Sequence, residues 1–482
     1  MEARAIPHMK SSAAVALVLA VAFVIRSAAF DAISRLNSET PLTTARIEGD
    51  ERPTPSALDR EIASWTARTI ARPDDPEAWV RLGDSLMQRS REQVLPAFHK
   101  RAEAAYREAA RLDPKHPQAL VGLAWVANTR HQFEDGRNWA RQALALNAQL
   151  PEAHALLGDA AMETGNYDEA FEHYQSALDI RPNLTSYSRA SHLLWLTGDS
   201  RRAKALMHKA ILAGAPHAEN TAWCRAQLAL MMFHEGALIP AAQLLDRALK
   251  EAPRNADVLA AMGRIKAAKK EYPGALELYE RALSIVPKHP TLVALVDLYT
   301  LLDEPEEAAL MSRRVLEFHE KQISEPSPSS NSPPTQAHGH THTGNAELAY
   351  FLADTGQDLD RALEEAERAY KAYPNVHVAD TLAWCYHKKG LHREAARTIR
   401  RALRWKTPDA LILYHAGMIF SRTEDRVSAQ KYLYQALNLN PNFHVHHAEA
   451  AAQTLRQLAL RNAVDRSPTS IQTPPPVEPT GP

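Results

Sequence analysis

Residues Pro151 to Leu184 read PEAHALLGDAAMETGNYDEAFEHYQSALDIRPNL. Two amphipathic helices are written into this stretch. Leu157, Gly158 and Ala161 share one face of the first, and Ala170, Tyr174 and Ala177 share one face of the second. Gly165-Asn166 supplies the turn between them, and Pro182 ends the second helix because proline cannot continue one. Small residues at Gly158, Ala170 and Ala177 let the backbones approach closely, while Tyr174 fills the space toward the next hairpin. The same marks return at a 34-residue spacing: Ala241, Ala248 and Pro253 are answered by Ala275, Ala282 and Pro287. A self-similar period of this length predicts an all-α solenoid of antiparallel helix pairs, and a binding scaffold in preference to a globule with one active-site pocket.

Working outward, a first unit carries Trp79, Leu82, Gly83, Ala102, Tyr106, Ala109 and Pro114, with about seven extra residues around Ser90 to Phe98. A weaker second unit has Leu123, Ala124, Ala140 and Ala143, and a fourth has Gly198, Ala203 and Ala210. The fifth has Gly236, Ala241, Leu245, Ala248 and Pro253. The sixth has Met262, Gly263, Tyr272, Ala275, Tyr279, Ala282 and Pro287. A seventh, marked by Leu295, Tyr299 and Ala308, has a phase uncertain by one residue. This pattern resembles the tetratricopeptide repeat family: a bulky or apolar residue, then Leu-Gly, Tyr, Ala, an aromatic, Ala and Pro at fixed offsets. The resemblance implies a right-handed superhelical array that binds a protein or peptide partner in its concave groove.

The period divides the chain. Residues 1–30 form a signal peptide or N-terminal membrane anchor, 31–75 a lead-in with a capping helix at Ser56–Arg72, and 76–320 an array of about seven units. Residues 321–344 form a linker whose Pro- and Ser-rich stretch, SEPSPSSNSPPTQAHGHTHTG from Ser324, cannot bury a core. Three further units occupy 345–443, a C-terminal capping helix 444–465, and a Pro-rich disordered tail 466–482. At the N-terminus, Arg4 and Lys10 precede an unbroken apolar run from Ala13 to Ile25, followed by small residues through Ala29. Two leading readings stand ahead of a buried globular helix: a secretory signal cut near Ala29, or an uncleaved anchor extended toward Ile33. Either places the rest of the chain beyond a membrane, in a periplasm or held at the membrane surface.

Composition limits the function further. The 482 residues carry 56 basic and 57 acidic side chains, so no net field draws nucleic acid. Cys224 and Cys385 fall in apolar helical segments and read as buried free thiols. No phosphate loop, H-E-x-x-H or G-x-S-x-G motif stands out, so the chain is read as non-enzymatic and without a cofactor. Away from the core positions lie Trp125, His192, Trp195, Trp223, Phe233, His234, Trp384 and His387, with His377, Asp380 and Lys388 beside the last two, on the face that the resemblance implies lines the concave groove. These are candidate partner-binding residues; the alternative is that their rings pack on the neighbouring first helix and thicken the core. His338, His340 and His342 alternate in the linker and offer a transition-metal site, the basis of an alternative reading as a periplasmic metal-handling factor. His444, His446 and His447 form a second cluster. Arg393, Arg397, Arg400 and Arg404 line a second helix as a solvated basic face.

Overall fold

The computed structural model describes residues 56–93, 96–324 and 342–466. The N-terminal apolar run, His338, His340 and the C-terminal tail lie outside them. His342 opens a helix, but its side chain is not among those described. The described residues hold 22 α-helices and no strand. A lone helix, α1 (Ala57–Ala71), precedes ten antiparallel pairs. The first pairs are α2 (Pro76–Gln93) with α3 (Pro96–Leu112), α4 (Pro117–Thr129) with α5 (Phe133–Leu146), and α6 (Pro151–Glu163) with α7 (Tyr167–Ile180). Then come α8 (Leu184–Leu196) with α9 (Ser200–Ala213), α10 (Ala218–His234) with α11 (Leu238–Glu251), α12 (Ala256–Ala268) with α13 (Tyr272–Ile285), and α14 (His289–Leu301) with α15 (Pro305–Ser324). After the linker follow α16 (His342–Thr355) with α17 (Leu359–Ala372), α18 (Val376–Lys388) with α19 (His392–Leu403), α20 (Ala410–Ser421) with α21 (Arg426–Leu439), and a closing helix, α22 (His447–Arg466). No helix among the described residues is long and apolar enough to cross a membrane.

Contacts divide the chain into two compact units, one running to Met162 and including Asn166–Arg189, the other made of Glu163–Gly165 and everything from Ala190 onward. The first unit opens with the expected cap. Ser56 and Asp59 form a capping box at the start of α1. Arg89, buried on α2, reaches back to donate to the Ser56 hydroxyl at 3.0 Å and to pair with Asp59. The extra residues of the first repeat are taken up as helix: α2 and α3 have 18 and 17 residues, where α6 and α7 have 13 and 14.

The hairpins close on one recurring contact. A Cβ added to Gly158 would sit 2.4 Å from a ring carbon of Tyr174, and one on Gly83 2.5 Å from Tyr106. Each ring is then tethered, because Tyr174 donates its hydroxyl to Asp159 at 2.8 Å and Tyr106 donates to Asp84 at 2.8 Å. In both repeats the carboxylate directly follows the glycine. Arg189 adds a second donor to Asp159 at 2.7 Å. Asp84 lacks such an arginine contact, and burial pushes its carboxyl up to about 6 despite the Tyr106 bond.

The second unit does not break at the linker. Repeats on both sides of it are joined by side chains that reach across more than two hundred residues of sequence. The Thr407 hydroxyl donates to the carbonyl of Leu196, and the buried Asn440 amide donates to the carbonyl of Phe233 at 2.7 Å. These oxygens belong to the last turns of α8 and α10, where helical carbonyls lack intrahelical donors. At Gly198 the backbone has φ +88°, and a Cβ there would lie 3.0 Å from the carbonyl oxygens of both Trp405 and Lys406. Glycine permits both the left-handed turn and the close passage of the second chain segment.

Replacing Gly158 by alanine should drive the added methyl into the Tyr174 ring and cost about 1–3 kcal/mol. Chemical denaturation of the full chain checks this; an unchanged midpoint and slope contradict the contact.

Candidate functional site

The first helices of the second unit surround a cavity of ≈ 570 Å³. His234 enters it from the end of α10, Arg264 from α12, Asp297 from α14, Glu347 and Tyr350 from α16, Asp380 from α18 and Asp409 from the start of α20. The segment Asn442–Val445, before α22, closes one side. The cavity therefore sits on the face to which the first helices turn their non-core positions, as helical spacing predicts.

Its wall is organised by paired aspartates and histidines. Asp297 lies 3.2 Å from His444, Asp380 2.9 Å from His415, and Asp409 3.6 Å from His234; behind the wall Asp354 lies 3.2 Å from His447. Burial alone raises a carboxyl pKa, but the hydrogen bond from His447 and the charge favoured on His444 overcome this and hold Asp354 well below the usual carboxylate range. Asp409 is likewise buried, yet the nearby His234, with the Leu411 backbone N–H, holds its carboxyl well below the usual range. Burial disfavours a charged His444, but Asp297 and Asp354 more than restore it and raise its pKa. His447 stacks on His444 with ring centroids 4.1 Å apart; burial and that neighbouring charge push it down to about 4. The charged form is thus favoured on His444 beside its two carboxylates, whereas His447 stays neutral and donates to Asp354. His446 anchors the same segment through the Asp297 carbonyl at 2.9 Å.

The sequence candidates divide among distinct environments. Phe233 and His234 line the cavity. Trp384 stands behind it, 3% exposed, sandwiched between His387 and His415 at 5.0 and 4.3 Å, with its indole N–H donated to Asp354 at 3.1 Å. Trp195 is also buried, 5.1 Å from the His234 ring. Phe233 is buried beneath the Arg264 guanidinium. Trp195 and Trp384 are thus buried against neighbouring rings, and Phe233, though it lines the cavity, is itself nearly all buried. His192 and Trp223 are half-buried and do not line the cavity. Trp125, half-buried in the first unit, bridges two core clusters there. Cys224 and Cys385 are free and buried. The stripe from Arg393 to Arg404 is exposed, with Arg400 lying over Phe420.

Several wall residues escaped the sequence reading: Arg264, His289, Asp297, Glu347 and Asp409 among them. Asp297 and Glu347 occupy first-helix positions, and the uncertain phase of the seventh unit hid the former. Glu347 lines the cavity with an exposed side chain, and the protein around it raises its carboxyl to about 7. At its edge His289 and His319 meet ring nitrogen to ring nitrogen at 2.9 Å; burial pushes their pKa values down to about 3 and about 4, so both are neutral.

Stacked antiparallel helix pairs repeating every 34 residues define a helical-repeat solenoid. Comparison with known proteins agrees. Residues 151–184, 241–290 and 410–443 each match a tetratricopeptide repeat family model. These three stretches are tetratricopeptide repeats, which support a repeat scaffold for protein interaction. The chain is 28% identical over 184 residues to cellulose synthase operon protein C of Pseudomonas fluorescens, covering 36% of this chain and 14% of that one. It is 30% identical over 113 residues to BBSome complex member BBS4 of Mus musculus, covering 23% and 22%. The matched part thus spans less than a quarter of either relative. Among solved structures, YrrB, described as a TPR protein with an unusual peptide-binding site, is 21% identical, covering 39% of this chain and 95% of that one, at TM-score 0.28. Yeast Tom70 is 13% identical, covering 85% and 94%, at 0.35. A thermophilic TPR protein of Thermus thermophilus is 20% identical, covering 42% and 100%, at 0.34.

The stack around Trp384 makes a pH prediction. Burial, then the positive charges of His392, His415, Arg422 and Lys388, push His387 down to about 3 from 6.5. Between those values the unfolded chain binds a proton that the folded chain refuses, so stability falls as pH drops through that window. Replacing His387 by glutamine should shrink the stability lost between pH 7 and pH 5 by about 1–2 kcal/mol. Denaturant titrations at the two pH values measure it, and an equal loss in both proteins contradicts it.

Proposed function

We propose that the chain is a non-catalytic adaptor whose second unit holds an extended segment of a protein partner on its concave face, with a cationic side chain of that segment seated in the cavity. The observation that carries this reading is the charge of the wall. Asp297, Glu347, Asp380 and Asp409 bring four carboxyls to the cavity, where Arg264 is the one fixed cation among the described lining residues and His234 and His444 are titratable partners. Asp380, 6% exposed, leaves its Oδ1 without a partner, and so does the Tyr350 hydroxyl on the same wall. A buried carboxylate oxygen and a buried hydroxyl without partners are costly unless a guest satisfies them. A lysine or arginine side chain supplies both the charge and the donors. The non-catalytic reading is supported by helix pairs that occupy the described chain from Pro76 to Leu439.

A peptide array varying one position through lysine, arginine, glutamate and alanine tests the cavity directly. The full chain should retain the basic peptides, less so in high salt. Asp380→Asn should weaken that retention by roughly tenfold, since a charge-assisted hydrogen bond is worth about 1.5–3 kcal/mol. Retention without preference for a cation, or equal retention by the variant, overturns the reading.

The adaptor is further proposed to work beyond a membrane or tethered to one. Support comes from the basic start and the apolar run Ala13–Ile25. A reporter active only after export, fused behind residues 1–40, should be active, and it should lose that activity when Leu17 and Leu19 become arginine. A reporter that stays inactive sinks the export reading.

A further inference from the structure

We propose that His289, His319 and Glu347 form a binding site for a divalent transition-metal ion of the zinc class. Three helices bring the donors together: His289 opens α14, His319 lies on α15 and Glu347 on α16. One ligand atom from each falls within 4.8 Å of the others. A tetrahedral zinc ion with Zn–N and Zn–O bonds of about 2.0–2.2 Å sets its ligand atoms about 3.3 Å apart. The two ring nitrogens already stand at 2.9 Å, so the imidazoles need part by only a few tenths of an ångström. Both rings are buried, 6% and 4% exposed, and pack edge to face on one another, which fixes their direction. Glu347 is the adjustable member, because its side chain extends into the cavity.

The donor set selects the ion. Two imidazoles and a carboxylate, with no thiolate, suit zinc and its borderline neighbours better than calcium or magnesium, which take oxygen ligands. In the present arrangement a single hydrogen bond joins the two ring nitrogens. An ion takes the place of that shared proton, which moves to the other nitrogen of the ring that carried it, so neither imidazole gains or loses charge. Three protein ligands leave one tetrahedral position open, and with Glu347 as a ligand that position lies at the cavity's edge, where water or a group of a bound partner completes it. The site also joins α16, the first helix after the linker, to the pair α14–α15 that precedes it. The ion would tie the two halves of the second unit at the point where the backbone connection is longest.

The test uses the full chain with His338, His340 and His342 changed to serine, which removes the linker imidazoles as competing ligands. After dialysis against a chelator, Zn²⁺ is titrated calorimetrically and Co²⁺ by visible absorption. One equivalent of Zn²⁺ should bind, and Co²⁺ should give the strong visible bands of a four-coordinate ion. Glu347→Gln should weaken Zn²⁺ binding at least as much as the loss of a group that merely supports a ligand, about 10–100-fold, and should shift the Co²⁺ spectrum. His319→Ala should abolish binding; should that variant lose its helical circular dichroism, the Glu347→Gln comparison decides alone. Asp380→Asn, which addresses the peptide reading, should leave the metal affinity unchanged. Absence of stoichiometric binding in the serine background, or a Glu347→Gln variant with the parent's affinity and spectrum, overturns the proposal.

Discussion

The second unit depends on two hydrogen bonds that ignore the repeat order. Thr407 and Asn440, in the connections after α19 and α21, cap the last-turn carbonyls of α8 and α10. Donors and acceptors both advance by one repeat, from Leu196 to Phe233 on one side and from Thr407 to Asn440 on the other. The late repeats therefore fold back over the early ones in register. Each bond contributes only about 0.5–1.5 kcal/mol net, yet a buried amide left unpaired costs about 1–3 kcal/mol. Misregistered folding back would leave the amide N–H of Asn440, fully buried, and the carbonyl of Leu196 without these partners. The bonds thus select one arrangement more than they deepen it. A nearest-neighbour solenoid has no such constraint, and without it the concave face would not be enclosed as a cavity.

Enclosure changes the chemistry of that face. Aspartates that an open groove would leave to water are instead matched with histidines from distant repeats: Asp297 with His444, Asp354 with His447, Asp409 with His234. Burying a carboxylate without such a partner is prohibitive. The pairs hold the wall at a defined charge, and the groups they leave over, the free oxygen of Asp380 and the hydroxyl of Tyr350, are those through which a guest can bind. The same enclosure explains the tryptophans. Trp384 would be a natural anchor on an open array, but here His387, His415 and Asp354 already occupy its two faces and its N–H.

What the sequence made legible was local. The glycine–tyrosine contact of Pro151–Leu184, the cap beginning at Ser56 and the start of the array at Pro76 all depend on residues within one or two repeats, and the 34-residue spacing encodes those contacts directly. Phe233, His234 and Asp380 were placed on the concave face for the same reason, since helical spacing alone assigns a face. The partners of those residues were not legible. His415 meets Asp380 from the next repeat, but His444 meets Asp297 across well over a hundred positions only because the repeats of the second unit turn back on one another. No local pattern specifies that return. The linker's composition marks a pause between repeats, and the described repeats on its two sides belong to one compact unit.

The folding back is the claim on which the cavity stands, and a distance measurement tests it most directly. With Cys224 and Cys385 replaced by alanine, nitroxide labels on the exposed positions Arg201 and Arg404 can be read by double electron–electron resonance in the full chain. The account predicts a single short and narrow distance that broadens when Asn440 and Thr407 are changed together to alanine and valine. A long or broad distribution in the otherwise unaltered chain would contradict it.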